Sequence, residues 1–269
     1  MSLIACLQLR CTANLDRNWS TFERLARSAA ANGAQLIATP EATDYLGPHD
    51  QKMQIAEPIN GPRNQKYGAL AAELGVDLLI GSIAEQHNGV RCYNTSLYFD
   101  RNGQCIAQYR KIHLFDVDLS SSGGVCFAES ARTKAGSELV CADGQLGRVG
   151  LSICFDLRFP EMYQQLTSKG ATILAVPAAF TERTGRDHWH ALLRARAIEN
   201  QAYVIAPGQW GEHGDNGLRC SYGHSLIVDP WGTIIAECGD GEGYCLAPID
   251  LDRLHQIRQQ IPMADNRRL

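Results

Sequence analysis

Three residue types that together can break an acyl bond stand just past apolar, strand-like stretches of this sequence. Glu41 follows "LIATP", Lys111 follows "QCIAQYR", and Cys154 follows "VGLSI". In open α/β sheets, functional residues collect beyond the carboxyl ends of strands. A cysteine attacks as its thiolate, and a free pKa near ~8.5 leaves only a few per cent ionised at neutral pH. A nearby ammonium, and the N-terminus of a helix opening at Pro160-Glu161, are expected to help Cys154 ionise. A carboxylate in reach, Glu41, takes the thiol proton and passes it to a leaving amine. Lys111 and the backbone N–H of Phe155 then stabilise the oxyanion. Taken singly, each residue has a plainer reading: an exposed loop carboxylate, a solvated lysine or partner of Asp116, and one of ten core thiols. Their shared placement favours an acyl-transfer site.

The elements that must position these residues form two similar units. "LIACLQLR" reads as a strand. The helix after it places Trp19, Phe22, Leu25, Ala26 and Ala29 on one face, with Asn14 or Asp16 as cap and Gly33 as terminator. "QLIAT" is a buried strand. In the second unit, "RVGLSIC" is a strand, "PEMYQQLTSKG" a helix with Pro160 at its first position, and "TILAV" a strand. "GAQLIATP" at 33–40 is similar to "GATILAVP" at 170–177. "SLYFDRNGQCIA" at 96–107 lines up with "SLIVDPWGTIIA" at 225–236, each a hairpin turning at DRNG or DPWG. Two matched pairs in the same order at nearly equal offsets indicate an internal duplication. Two related mixed sheets packed face to face, with helices outside, give a four-layer α-β-β-α sandwich. No linker-like segment separates the halves, so one domain over residues 1–269 is expected. The duplication aligns Glu41 with Ala178, so the shared scaffold does not itself demand a carboxylate there.

The 269 residues are 45% hydrophobic and 20% charged with a net charge of −4, which argues against a general attraction to nucleic acid or anionic membranes. No apolar run approaches the ~20 residues of a membrane span. The N-terminus reads as a core strand rather than a signal peptide, so a cytoplasmic location is expected. The ten cysteines are scattered with no CxxC pair; most are expected to be reduced, buried and inert, and no metal site is expected.

"ATPEATDY", "YRKIHLFD" and "GLSICFDLRFPE" resemble the glutamate, lysine and cysteine motifs of the nitrilase superfamily of carbon–nitrogen hydrolases. "GRDHWHALLRARAIENQAYV" and "SYGHSLIVDPWGT" are also similar to that family, in order from Ala5 to about Pro262. The resemblance implies the α-β-β-α sandwich, with Glu41 as base, Lys111 as oxyanion stabiliser and Cys154 as nucleophile. It also implies a second, supporting glutamate, for which "CFAES" offers Glu129. The similarity is to the Nit branch. "GQWGEHGDNGLRCSYGHS" resembles that branch's deaminated-glutathione amidases, whereas "RQQIP" also suits its ω-amidases. Arg186-Asp187 departs from the branch's usual turn at the pocket rim. An amidase forming a Cys thioester and releasing ammonia follows, without metal or organic cofactor. Its substrate would be an anionic amide, a 2-oxo-glutaramyl peptide or, alternatively, 2-oxoglutaramate. Arg158 is a candidate carboxylate grip, or else a partner of Asp156 or Glu161. Thr181 and Thr184 could add hydroxyls, and Tyr45 could line the pocket. A homodimer is expected, with "RARAIENQAYV" and the tail at 263–269 as contact segments.

Two rival readings remain at this level. A papain-like site would take its base from His113, His188 or His190. A binding or scaffold protein would keep the fold without the chemistry.

Overall fold

Apolar side chains alternate between two buried faces along the first strands. Ile4 and Cys6 face one core while Ala5 and Leu7 face another, and Leu36 and Ala38 oppose Ile37 in the same way. A computed structural model describes residues 2–118, 126–214 and 219–268. The chain begins with β1 (Ser2–Gln8), α1 (Leu15–Ala31), β2 (Ala34–Ala38), α2 (His49–Ile55), α3 (Pro62–Leu74), β3 (Asp77–Gln86), β4 (Cys92–Phe99) and β5 (Cys105–Arg110). It continues through β6 (Asp116–Asp118), β7 (Cys126–Ala128), β8 (Cys141–Gly144), β9 (Gly147–Leu151), α4 (Pro160–Ser168), β10 (Ile173–Ala175), α5 (Glu182–Asn200) and β11 (Tyr203–Ala206). It closes with β12 (Trp210–Glu212), β13 (Cys220–Tyr222), β14 (Leu226–Val228), β15 (Ile234–Glu237), β16 (Gly243–Ile249), α6 (Leu251–Gln260) and α7 (Met263–Asn266).

Two six-stranded sheets carry the fold, ordered β16-β1-β2-β3-β4-β5 and β15-β14-β11-β10-β9-β8. Strands β1, β2 and β3 are parallel, and β4 and β5 add antiparallel. The second sheet repeats this with β9, β10 and β11 parallel and β14 and β15 antiparallel. The expected duplication is therefore present in the topology. The two hairpin turns repeat it in atomic detail. Asp100 Oδ1 accepts from the N–H groups of Asn102 and Gln104, and Asp229 Oδ1 from those of Trp231 and Thr233. Gly103 and Gly232 close these turns at φ of +82° and +88°, a region where a side chain would be strained.

One core lies between the sheets and continues under α4 and α5; it gathers Ile4, Leu36, Leu79 and Tyr98 with Leu151, Leu174, Ile205, Tyr163 and Trp189. The other packs Phe22, Leu25, Ala26 and Ala29 of α1 and Tyr67 and Leu70 of α3 onto the outer face of the first sheet. The layers are thus helix, sheet, sheet, helix, as the sequence predicts. Burying one such Leu or Phe stabilises the fold by about 1.5–3 kcal/mol. Asn14 caps α1 by accepting from Arg17 N–H at 3.0 Å, and Pro160 opens α4. β16, from the C-terminal end, pairs with β1 along its whole length, Ser2 opposite Ile249 to Gln8 opposite Gly243.

All ten cysteines carry free thiols. Cys6, Cys11, Cys92, Cys154 and Cys245 are buried, but Cys105 and Cys126, the first residues of β5 and β7, are exposed.

Candidate active site

β2 leaves the first sheet at Thr39 and Pro40, and the chain turns sharply with Ala42 at φ +58°. Thr39 holds this turn through its hydroxyl, bonded to Thr43 Oγ1 at 2.6 Å and to Gly81 N–H at 2.9 Å. A side chain at Gly81 would meet Thr39 O at 2.1 Å, so glycine there permits the close approach. Gln209 Nε2 donates to Glu41 O at 2.9 Å from the other half of the molecule. Glu41 is thereby fixed with its carboxylate inward and 7% exposed.

Lys111 follows β5 directly, its N–H bound to Asn94 O at 2.9 Å and its side chain buried. Its Nζ donates to Glu41 Oε1 at 3.0 Å and to Glu129 Oε2 at 2.9 Å. Glu129 opens the short turn after β7 and also accepts from Phe115 N–H at 2.8 Å. Burial alone would lower the Lys111 pKa, but the Glu129 and Glu41 carboxylates outweigh it and hold the ammonium well above its ordinary value. Burial alone would likewise raise Glu129, yet Lys111 and the Phe115 N–H bring it down to about 2.

Cys154 begins a single 3₁₀ turn over Cys154–Arg158, past the end of β9. Its φ of +49° is rare for a residue with a side chain. Its N–H is bound to Pro177 O at 2.8 Å, at the end of β10. Asp156, fully buried, anchors the turn by accepting from Ile153 N–H at 2.8 Å, Tyr109 Oη–H at 2.7 Å and His113 N–H at 3.0 Å.

The expectation that a helix N-terminus helps Cys154 ionise is corrected. The 3₁₀ turn separates it from α4, so no α-helix N-terminus abuts the sulfur. Burial, and next the Glu41 carboxylate, push its pKa well above the ordinary value, against the opposing pull of Lys111. The resting group is a neutral thiol.

These residues line one cavity of about 580 Å³, shared with Phe155, Arg158, Thr181 and Thr184. The cavity therefore gathers Glu41, Lys111, Glu129, Cys154 and all the predicted binding residues except Tyr45. Tyr45 is buried outside the lining and donates its hydroxyl hydrogen to Pro48 O at 2.9 Å, because the turn after Glu41 directs it toward α2. Thr181 and Thr184 pair hydroxyl to hydroxyl at 2.7 Å at the start of α5. Arg158 takes neither Asp156 nor Glu161 as partner. Its guanidinium lies 3.4 Å from His188 Nδ1 and 5.2 Å from the Phe180 ring, and burial lowers its pKa.

The sequence reading missed Asn94, whose Nδ2 donates to Glu41 Oε1 at 2.9 Å and Glu129 Oε1 at 3.1 Å. It also missed the basic rim of Lys52, Arg183 and Arg219. Burial, with Lys52 and Arg219 nearby, holds the rim residue His49 below its ordinary pKa. Of the rival bases, His113 is bonded to Asp156 and His190 to Glu237, and neither they nor His188 line the cavity.

The two-sheet sandwich and the Glu–Lys–Glu cluster beside a buried cysteine define a carbon–nitrogen hydrolase. Residues 3–259 match that family, and the chain belongs to it. It is 42% identical over 274 residues to the deaminated glutathione amidase of Mus musculus, covering all of this chain and 84% of that one. Among solved structures it superposes on the Caenorhabditis elegans NitFhit protein with a TM-score of 0.92 at 36% identity, covering 99% of this chain and 65% of that one. Saccharomyces cerevisiae Nit3, a member of branch 10 of the nitrilase superfamily, gives 0.88 at 30% identity, covering 100% and 97%. These relatives place the chain in the Nit branch that its motifs resemble.

Proposed function

We propose that this chain is an amidase acting on deaminated glutathione through a thioester on Cys154. The observation that carries this reading is Lys111 held between Glu41 and Glu129 at 3.0 and 2.9 Å, in the same cavity as Cys154. The neutral thiol gives its proton to Glu41 as sulfur attacks the amide carbon. Lys111 and the Phe155 N–H stabilise the oxyanion. Glu41 then protonates the departing nitrogen, which leaves as ammonia from a primary amide and as a peptide amine from a 2-oxoglutaramyl peptide. Glu41 next takes a proton from water, whose oxygen attacks the thioester carbonyl, and the acid leaves as Cys154 recovers its proton. Glu129 stays ionised and keeps Lys111 in place. Every bond made or broken is accounted for by these residues and water.

The basic rim of Lys52, Arg158, Arg183 and Arg219 suits a substrate carrying carboxylates, and a cavity of about 580 Å³ suits a peptide-sized amide. The ratio of kcat/KM for deaminated glutathione over 2-oxoglutaramate tests the substrate. A ratio above one is expected, and one below it makes the enzyme an ω-amidase. Turnover of neither, nor of other amides, would leave a binding protein.

The chain acts as one folding unit, in this reading, since β16 completes the first sheet and one core spans both halves. No helix among the described residues is long and apolar enough to cross a membrane, in keeping with a cytoplasmic enzyme. A homodimer is also part of the proposal. Ile198 on α5 and Trp231 on the adjoining hairpin are 45% and 53% exposed, and a dimer would cover them. Light scattering that finds a stable monomer at micromolar concentration removes this part.

A further inference from the structure

Away from the cavity, three side chains of metal-binding type converge where α5, the β13–β14 connection and β15 meet. Glu237 Oε1 lies 2.8 Å from His190 Nε2 and 2.9 Å from His224 Nδ1, and the three ligand atoms fall within 4.8 Å of one another. We propose that His190, His224 and Glu237 form a binding site for a first-row divalent cation of the Zn²⁺ class. Two imidazole nitrogens and one carboxylate oxygen are a zinc ligand set that leaves a fourth position for water. The nitrogen donors favour zinc, nickel or copper over magnesium or calcium, which take oxygen. In a tetrahedron with bonds of about 2.0–2.1 Å the ligand atoms stand roughly 3.3 Å apart. Each imidazole nitrogen must therefore draw about half an ångström away from Glu237 Oε1, and the two nitrogens, within 4.8 Å of each other, must settle at that same spacing to admit the ion.

Several features hold the ligands in place. His224 sits at φ +53°, a backbone region that few residues with side chains adopt. Its carbonyl accepts from Trp189 Nε1 at 2.9 Å, which ties its segment to the residue preceding His190. The Tyr222 ring stacks on His224 at 4.4 Å. The three side chains are 29–32% exposed, so an ion reaches them from water. On binding, each imidazole carries its single proton on the nitrogen away from the ion, and Glu237 supplies the one negative charge. The ion joins α5, whose first turn contributes Thr184 to the cavity, to the segment that follows Ser221, and so braces one cavity wall.

The test uses the full chain with Cys154→Ser, so that the active-site thiol does not compete, stripped with chelator and titrated calorimetrically with ZnCl₂. One equivalent bound is expected, weakened tenfold or more by His190→Ala and by His224→Asn, since asparagine tolerates the left-handed backbone. At a hundredfold excess over Kd, the melting temperature of the parent should rise by about 5 °C or more. Co²⁺ loaded in place of zinc should show ligand-field bands without thiolate charge transfer, a readout that needs no variant. Failure of the parent to bind one equivalent, equal affinity in both variants, or a thiolate band would each overturn the site and leave a hydrogen-bonded trio.

Discussion

Asn94 holds Glu41 from the side opposite its backbone anchor: its Nδ2 lies 2.9 Å from Glu41 Oε1, while Ala179 N–H reaches Glu41 Oε2 at 2.9 Å. Ala179 directly follows the residue that the internal duplication aligns with Glu41. The two copies of one strand end thus meet here, one supplying the carboxylate and the other an N–H for it. Because Asn94 also binds Glu129, it sets the spacing of both carboxylates around Lys111. Asn94→Ala should lower kcat by about a hundredfold with KM changed little, as expected when a reacting group shifts by about an ångström. Asn94→Asp should be worse, since a third carboxylate would face two others. Steady-state kinetics decide this: a rise in KM alone would place Asn94 in substrate binding instead.

Burial and Glu41 keep Cys154 a thiol at rest, which fixes a pH dependence for its chemistry outside the catalytic cycle. Alkylation by iodoacetamide in the absence of substrate should be slow at pH 7 and climb about tenfold per pH unit toward pH 9, following the thiolate fraction. A rate flat from pH 6 to 9 would show a preformed thiolate.

Glu129 carries the opposite sign. Its folded-state pKa of about 2 lies below the ordinary 4.5. Its ionised form therefore contributes stability that is complete above about pH 4.5 and is lost as the pH falls through about 2. In urea unfolding between pH 2 and 5, Glu129→Gln should flatten the acid limb relative to the parent protein. Parallel curves would mean that Glu129 gains nothing from Lys111 on folding.

Arg158 is a cavity cation without a carboxylate partner among the described residues, so it is available to an anionic ligand. Arg158→Gln should raise KM for deaminated glutathione about ten- to a hundredfold, the worth of a charged hydrogen bond, with a small change in kcat. A neutral amide substrate should show no such change. Equal effects on both substrates would mean that Arg158 serves the fold.

The strand ends and their chemistry were legible because they rest on local sequence: apolar alternation, a break, then a reactive residue. The duplication was legible for the same reason, and it foretold both sheets. Asn94 was not, since it reads as an ordinary polar position in a hairpin strand, and only pairing with β5 brings it to Lys111. Tyr45 was misplaced because a residue four past Glu41 looks adjacent in sequence, whereas the left-handed Ala42 turns the chain away. The help expected for Cys154 from a helix N-terminus was misjudged because it depends on a 3₁₀ turn that no residue spacing announces. His190, His224 and Glu237 belong to three separate elements that meet only in the fold.

The most direct test of the account is to mix the enzyme with deaminated glutathione, quench in acid on the millisecond scale, and measure intact mass. The account predicts a 2-oxoglutaryl adduct that maps to the Cys154 peptide, is absent in Cys154→Ala, and decays with formation of 2-oxoglutarate. Continued turnover by Cys154→Ala with no adduct at any time would contradict it.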